Sequence, residues 1–339
     1  MSSRTAYEFA HCIVCGHTDA DVLAEAEDLR REVEWLWEYQ SRRLKPDTPS
    51  RRLMDRVAFS QDRPLRLVRC RDCGLVYRNP VERVRELDSI YGDDGGGPAR
   101  DTMVALHATQ RTAYRAQARR LRDALRGKRG GRVLEVGSYV GAFLDAARGE
   151  GLVAEGVDIN VATNAFTRSL GFTVHDGELA DMPCDQVFDA VAIWNTFDQL
   201  ADPRATVRAA AERLSAVGVL ALRVPNGACY VEWRERLRST KRATRAVARA
   251  VLAQNNLLTF PYRWGFTLPS LVRFLRAAGL TVQHVYGDVL VPTADEWTRP
   301  WARIEERAAK AALRLLVARA PERAPWIEVY ARQSASRHP

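Results

Sequence analysis

From about residue 101 onward, short apolar runs of strand length alternate with longer stretches whose apolar positions recur every three to four residues. The runs are RVLEVG (132–137), VAEGVDI (153–159), FTVH (172–175), FDAVAIW (188–194), GVLALRVP (218–225), LTVQHVYG (280–287) and WIEVYARQ (326–333). The periodic stretches are TMVALHATQRTAYRAQARRLRDAL (102–125), AFLDAARGEG (142–151), VATNAFTRSLG (161–171), DPRATVRAAAERL (202–214) and LPSLVRFLRAAG (268–279). Helix signals frame them: Asp202 stands at an N-cap with Pro203 at the first helical position, Thr267 caps another helix, and glycine stops the one at 142–151. Strands joined by single helices on short connections predict a doubly wound α/β domain, its parallel sheet covered on both faces and closed by the last run.

The first 80 residues have another texture. DVLAEAEDLRREVEWLWEYQSRRL (21–44) predicts an amphipathic helix with Leu29, Val33, Leu36 and Trp37 near one face, ended by KPDTPS (45–50). RPLRLVRC (63–70) reads as a short strand. YGDDGGGP (91–98) cannot continue a helix or strand and reads as a joint. The organisation expected is therefore a module at 1–85, a linker and leading helix at 86–130, and the α/β domain at 131–339.

Composition narrows the class. The chain has 339 residues, 46% hydrophobic and 27% charged, which suits a folded protein with a sizeable core. No apolar run is long enough to cross a bilayer, and MSSRTAYEFAHC lacks a secretory h-region, so the expectation is a cytoplasmic protein with no membrane partner. The net charge of +9 raises nucleic acid as a partner. Against it, the arginines are spread along the chain. The densest run, WRERLRSTKRATRAVARAV (233–251), carries them at helical spacing without the interleaved aromatics of single-strand binding.

Four of the six cysteines form two CxxCG knuckles, CIVCG (12–16) and CRDCG (70–74). Two thiolates in each tight turn can reach one tetrahedral Zn2+, and Gly16 and Gly74 can take the positive φ that aims backbone amides at sulfur. Cys12, Cys15, Cys70 and Cys73 are the predicted ligands of a zinc-ribbon-like module. Four protein ligands leave no open position, so a structural zinc is expected. Cys184 and Cys229 read as packing residues.

A glycine turn follows the first strand, in EVGSYVGAFL (135–144). Doubly wound folds bind nucleotides at this place. A dinucleotide fingerprint needs glycine where this chain has Tyr139, and no GxxxxGK[ST] run is present. S-adenosylmethionine (SAM) needs no phosphate cradle. Its ammonium suits an acidic residue, its carboxylate free amides, and its ribose diol a carboxylate at the end of the second strand. Glu135, the Gly137–Gly141 turn and Asp158 supply these.

VLEVGSYVGAFL, GVDIN, HDGELADMP, FDAVAIWNTFDQLADP and GVLALRVPN together resemble the successive motifs of class I SAM-dependent methyltransferases over roughly residues 101–339. The resemblance implies a Rossmann-like seven-stranded sheet. It implies that Glu135, Gly137, Ser138, Tyr139 and Gly141 line the methionine part, Asp158 holds the ribose, and Ile159 packs on adenine. It further implies that Glu178 meets the adenine amine and that Trp194 and Asn195 border the methyl-transfer point. Ser138-Tyr139-Val140 departs from the small residues the family often carries. CRDCGLVYRNP (70–80) is similar to the end of the zinc domain ahead of certain bacterial methyltransferases, some of which C-methylate deoxysugars.

Candidates on the acceptor side are Asn195, Asp198, Gln199, Tyr262 and His107, with Asn195, Asp198 and Tyr262 as the catalytic choices. Relatives often carry His at the position of Gln199, and glutamine cannot act as a base. NNLLTFPYRWGFT (255–267) and GDVLVPTADEWTRPW (287–301) are expected as lid and acceptor-side segments. The function expected is methyl transfer to a small molecule, sugar-like or a natural product. The alternatives are an RNA or protein methyltransferase gripping its polymer with the zinc module and Arg-rich helix, or a non-catalytic SAM-binding protein. Oligomeric state stays open.

Overall fold

The computed structural model describes residues 7–49, 66–83, 99–258, 263–291 and 296–334. The N-terminal part holds β1 (Tyr7–Glu8), β2 (Ala20–Ala24), α1 (Ala26–Arg43), β3 (Arg66–Cys70), β4 (Val76–Asn79) and β5 (Val81–Glu82). Then come α2 (Arg100–Ala124), β6 (Arg132–Val136), α3 (Ala142–Gly149), β7 (Val153–Asp158), α4 (Val161–Ser169), β8 (Val174–Asp176) and β9 (Phe188–Trp194). The remainder is α5 (Pro203–Glu212), β10 (Leu214–Pro225), α6 (Gly227–Arg236), α7 (Arg242–Gln254), β11 (Trp264–Gly265), α8 (Leu268–Ala277), β12 (Leu280–Asp288), α9 (Pro300–Val317) and β13 (Trp326–Gln333).

The main sheet has seven strands in the order β12-β13-β10-β9-β6-β7-β8. Strands β10, β9, β6, β7 and β8 run parallel, as crossover helices require. The sheet is mixed, however. β13 lies antiparallel between β10 and β12, where an all-parallel sheet closed by its last strand was expected. The cause lies in the preceding connection. α9 and the short 3-10 turn Pro321–Arg323 stay packed near β12, so the chain re-enters the sheet from the end it left.

Three further departures have local causes. Residues 20–24 form a strand where a helix was expected, because they pair with β3 from Ala20↔Cys70 to Ala24↔Leu67 and the ladder overrides helix propensity. The helix then starts at Ala26 with a Glu25–Asp28 capping box. The Arg-rich run is split into α6 and α7 rather than forming one helix. YGDDGGGP (91–98) lies outside the described residues.

β2, β3, β4 and β11 make a second sheet, ordered β11-β4-β3-β2. β11 comes from the segment expected to form a lid, and it adds to this N-terminal sheet instead, Trp264 opposite Tyr77. One apolar cluster runs unbroken from Cys12, Cys70 and Tyr77 through Trp264, Phe266 and Phe197 to Ile193 and Leu222 of the main sheet. Phe197, Phe266 and Phe274 pack with ring centroids 5.3–5.9 Å apart. Each buried phenylalanine contributes roughly 2–3 kcal/mol by leaving water. The N-terminal module and the α/β domain therefore share a core.

Candidate active site and metal centre

The glycine turn is held by contacts that only glycine permits. Gly137 has φ +76°, and a β-carbon there would stand 2.6 Å from Thr196 Oγ1. Gly141 has φ +69°, and its β-carbon would stand 2.5 Å from Thr167 Cγ2. Tyr139, between them, is forced to φ 46°. Its N–H donates to Asp158 Oδ2 at 2.9 Å, and its carbonyl accepts from Thr167 Oγ1 at 2.9 Å.

Asp158 ends β7, and its other oxygen accepts from Asn160 N–H at 2.9 Å. It does not cap α4: Asn160 does, accepting from Thr163 N. The backbone amides of Tyr139 and Asn160 thus fix the carboxylate at the mouth of the turn. Burial raises its pKa, and those amides oppose the rise. Ile159, next along, keeps 37% of its surface exposed. Glu178 starts a 3-10 turn, in a capping box with Asp181.

Glu135 lies on the face of β6 that looks toward α2 and α3. It is 3% exposed, and its Oε2 has no hydrogen-bond partner among the described residues. Burial first, and the charge of Asp158 second, push its pKa well above the usual carboxylate range. In the same corner, the buried atoms Ser138 Oγ and Trp194 Nε1 also lack a partner among the described residues. Trp194 packs on Phe143 at 5.2 Å, and Tyr114 of α2 meets the same ring edge-on at 5.8 Å. The turn, Glu135, Asp158 and Trp194 are brought to one end of the parallel strands, where doubly wound folds bind their ligands.

The acceptor-side candidates are placed differently. Asn195 has φ 59°, and its amide is spent on neighbours: Nδ2 donates to Tyr114 Oη at 3.1 Å, and Oδ1 accepts from Arg223 Nη1. Gln199 Nε2 donates to the Asn195 carbonyl at 3.0 Å. His107 is not beside Asn195. It bridges the Val140 carbonyl at 2.8 Å and Asp145 at 3.2 Å, beneath the glycine turn. Asp198 is 4% exposed, its Oδ1 has no partner among the described residues, and burial raises its pKa to about 7. It does not start a helix, because Asp202 caps α5. Instead its carbonyl accepts from Arg263 N and Trp264 N at 3.2 and 3.1 Å, tying the loop after β9 to β11. Tyr262 lies outside the described residues.

Sequence reasoning did not single out Tyr114 or Arg223. Arg223 interrupts the apolar strand GVLALRVP, and that interruption was the available signal. Its guanidinium donates to Asp288 at 2.7 Å and lies over the Trp326 ring at 4.4 Å. Tyr114 sits in an ordinary helical pattern and gave none.

In the candidate metal centre, the two knuckles repeat one geometry. Cys12 N donates to His17 O at 3.1 Å and Gly16 N to Cys12 O at 2.8 Å; Cys70 N donates to Leu75 O at 2.9 Å and Gly74 N to Cys70 O at 3.0 Å. Gly16 and Gly74 have φ +79° and +73°. All four Sγ atoms lie within 4.8 Å of one another, Cys12–Cys73 at 3.3 Å and Cys15–Cys70 at 3.4 Å. Four sulfurs around tetrahedral zinc, at about 2.3 Å each, stand about 3.8 Å apart, so the donor set fits that ion. The Cys73 thiol and burial push the Cys12 thiol up, and burial raises Cys15 to about 12. A divalent cation reverses that tendency. Of the other cysteines, Cys229 is buried as expected, whereas Cys184 is exposed.

The sequence profile described as a methyltransferase domain matches residues 107–285. The chain belongs to this methyltransferase family. The match takes in strands β6 to β10 of the seven-stranded mixed sheet. No curated protein matches the sequence. Similar solved structures include the sugar N-methyltransferase KedS8 from a Streptoalloteichus species, at 26% identity over 37% of this chain, TM-score 0.33. This methyltransferase spans about half the length of that protein, 53%. Others are the glycopeptide N-methyltransferase MtfA complexed with sinefungin (13% identity, 65% of this chain, 87% of that one, TM-score 0.42) and a TehB-like SAM-dependent methyltransferase from Corynebacterium glutamicum (13%, 64%, 87%, 0.39). No helix among the described residues is long and apolar enough to cross a membrane.

Proposed function

We propose that this methyltransferase holds SAM between Glu135, the Gly137–Gly141 turn and Asp158, and passes its methyl group to a small-molecule acceptor, sugar-like or a natural product. The observation that carries the cofactor placement is Glu135 Oε2, a buried carboxylate oxygen with no partner among the described residues. Such an atom is costly unless a ligand supplies a donor, and an ammonium is the donor that suits it. Asp158, oriented by two backbone amides, keeps lone pairs for a ribose diol. Exposed Ile159 offers an apolar face to adenine, with Glu178 at the turn that follows β8. SAM supplies an activated methyl group and an excellent leaving group. The chain's own residues have mainly to bind, orient and exclude water.

The cysteine cluster is a structural zinc site in this account. Its four donors close the coordination sphere, and its sheet reaches the acceptor-side loop through β11: Trp264 Nε1 donates to Leu200 O at 2.9 Å, beside the two bonds to Asp198 O. The metal thereby stiffens the loop that follows Trp194 and Asn195.

The arginines of the 233–251 run favour a small acceptor over a polymer. Arg234 donates to Glu32 and to Leu23 O, Arg236 to Glu232, and Arg245 to Ser239 O, while Arg249 lies over Trp35. Arg234 and Arg249 tie α6 and α7 to the N-terminal module, and Arg236 and Arg245 are held locally, which leaves Arg238, Lys241 and Arg242 as the exposed cations of the run. The test is incubation of the zinc-loaded protein with methyl-labelled SAM and a cell extract. Label is expected in the low-mass fraction; label in RNA or protein overturns the small-molecule assignment.

A further inference from the structure

Three polar side chains link the sheet to α2 in a fixed donor direction. Arg223 can only donate, so the Asn195 atom facing Nη1 is the amide oxygen. The other end of Asn195 is then the NH2 group, which donates to Tyr114 Oη at 3.1 Å. An NH2 group accepts nothing, so the Tyr114 hydroxyl hydrogen must point elsewhere. No acceptor among the described residues takes it.

Tyr114 does not stand alone in this. It shares the Phe143 ring with Trp194, whose buried Nε1–H also lacks a partner among the described residues. Glu135, Trp194 and Arg223 lie on the same face of the sheet, since Glu135 pairs with Ala192 and Trp194 with Arg223. Two unspent donors thus accompany one unspent carboxylate. A zwitterionic amino-acid group needs this set: an acceptor for its ammonium and donors for its carboxylate.

We propose that Tyr114 binds the carboxylate of SAM through its hydroxyl, and that Arg223, acting through Asn195, is the positioning residue that keeps this hydroxyl a donor. The proposal rests on the placement of the cofactor's methionyl ammonium at Glu135. Burial holds the phenol well above the usual tyrosine range, so the group stays a donor at working pH. Arg223 is itself fixed by Asp288 and by the Trp326 ring, which makes the relay rigid.

The test compares two probes by isothermal titration. S-adenosylhomocysteine carries the amino-acid end, and 5′-methylthioadenosine lacks it. Tyr114→Phe is expected to weaken S-adenosylhomocysteine about 10- to 100-fold, as for a bond to a charged group, and to leave 5′-methylthioadenosine unchanged. Arg223→Met should reproduce this selectivity loss, and Arg223→Lys, which can still donate to Asn195, should recover part of it. Unchanged S-adenosylhomocysteine binding in Tyr114→Phe, or equal losses for both probes, overturns the relay. A parent protein that does not distinguish the two probes overturns the Glu135 placement beneath it. If Tyr114→Phe does not fold, the Arg223 pair decides the question by the same ratio.

Discussion

The cysteine cluster and the glycine-turn corner are both built from tight turns with left-handed glycines, yet their polar atoms behave oppositely. In the cluster every sulfur faces the other three. In the corner, Glu135 Oε2, Ser138 Oγ and Trp194 Nε1 are buried and face no partner among the described residues. A closed donor set suits a resident ion that holds the fold. An open set suits a ligand that comes and goes. The shared core then couples the two, because the sheet carrying the cluster also holds the loop that borders the corner.

The largest effect should come from breaking the closed set. Cys70→Ser removes one of the four proposed zinc ligands, and a structural zinc supplies on the order of 10 kcal/mol coupled to folding. Because the core is continuous, the whole molecule should melt lower, not the N-terminal part alone. Thermal unfolding beside metal content checks this; a zinc-free variant that melts like the parent breaks the comparison.

Next comes the turn itself. Gly141→Ala combines about 1–3 kcal/mol of left-handed strain with a collision against Thr167 Cγ2, 2.5 Å from the new carbon. Stability and SAM affinity should both fall. Adding Thr167→Ser, which deletes that methyl, should recover the part due to collision; no recovery would mean that strain alone is responsible.

A smaller and more telling change is Glu135→Gln. SAM affinity should drop about 10- to 100-fold as a charged contact is lost. Without ligand the variant should be at least as stable as the parent, because a costly buried carboxylate is gone. The pH dependence carries a sign. With its pKa raised, folded Glu135 holds a proton that the unfolded chain has released, so ligand-free stability falls as pH rises above the ordinary glutamate pKa. The variant should flatten that fall, as denaturant midpoints across pH would show.

The smallest effect belongs to Asp198→Asn. Its carboxyl is raised to about 7 by burial, so the parent loses stability as pH climbs from about 4 to about 7, and the variant should lose less. Turnover should be nearly unchanged, since the side chain is walled off and its carbonyl does the structural task. A collapse in turnover with intact SAM binding would restore Asp198 as a catalytic group.

The two regions also differ in how legible they were. CxxCG spacing places four thiols with little help from the rest of the fold, since each knuckle closes on its own backbone. The strands and the glycine turn were equally readable, because apolar runs and glycine needs are local. The antiparallel insertion of β13 was not, as it depends on where α9 packs. Nor was the strand at 20–24, which exists only through pairing with β3. On the acceptor side, Asn195 and Asp198 stood out by type and position, yet one holds neighbours and the other a backbone junction. Tyr114 gained its role solely from the direction of hydrogen bonds reaching it from Arg223, 109 positions along the chain from it (223 − 114).

The most direct test of the cofactor corner is a crystal structure of the protein with S-adenosylhomocysteine. The account predicts the ligand's ammonium at about 3 Å from Glu135 Oε2 and its ribose hydroxyls on Asp158. A nucleoside bound elsewhere, with Glu135 Oε2 still facing no donor, would contradict it.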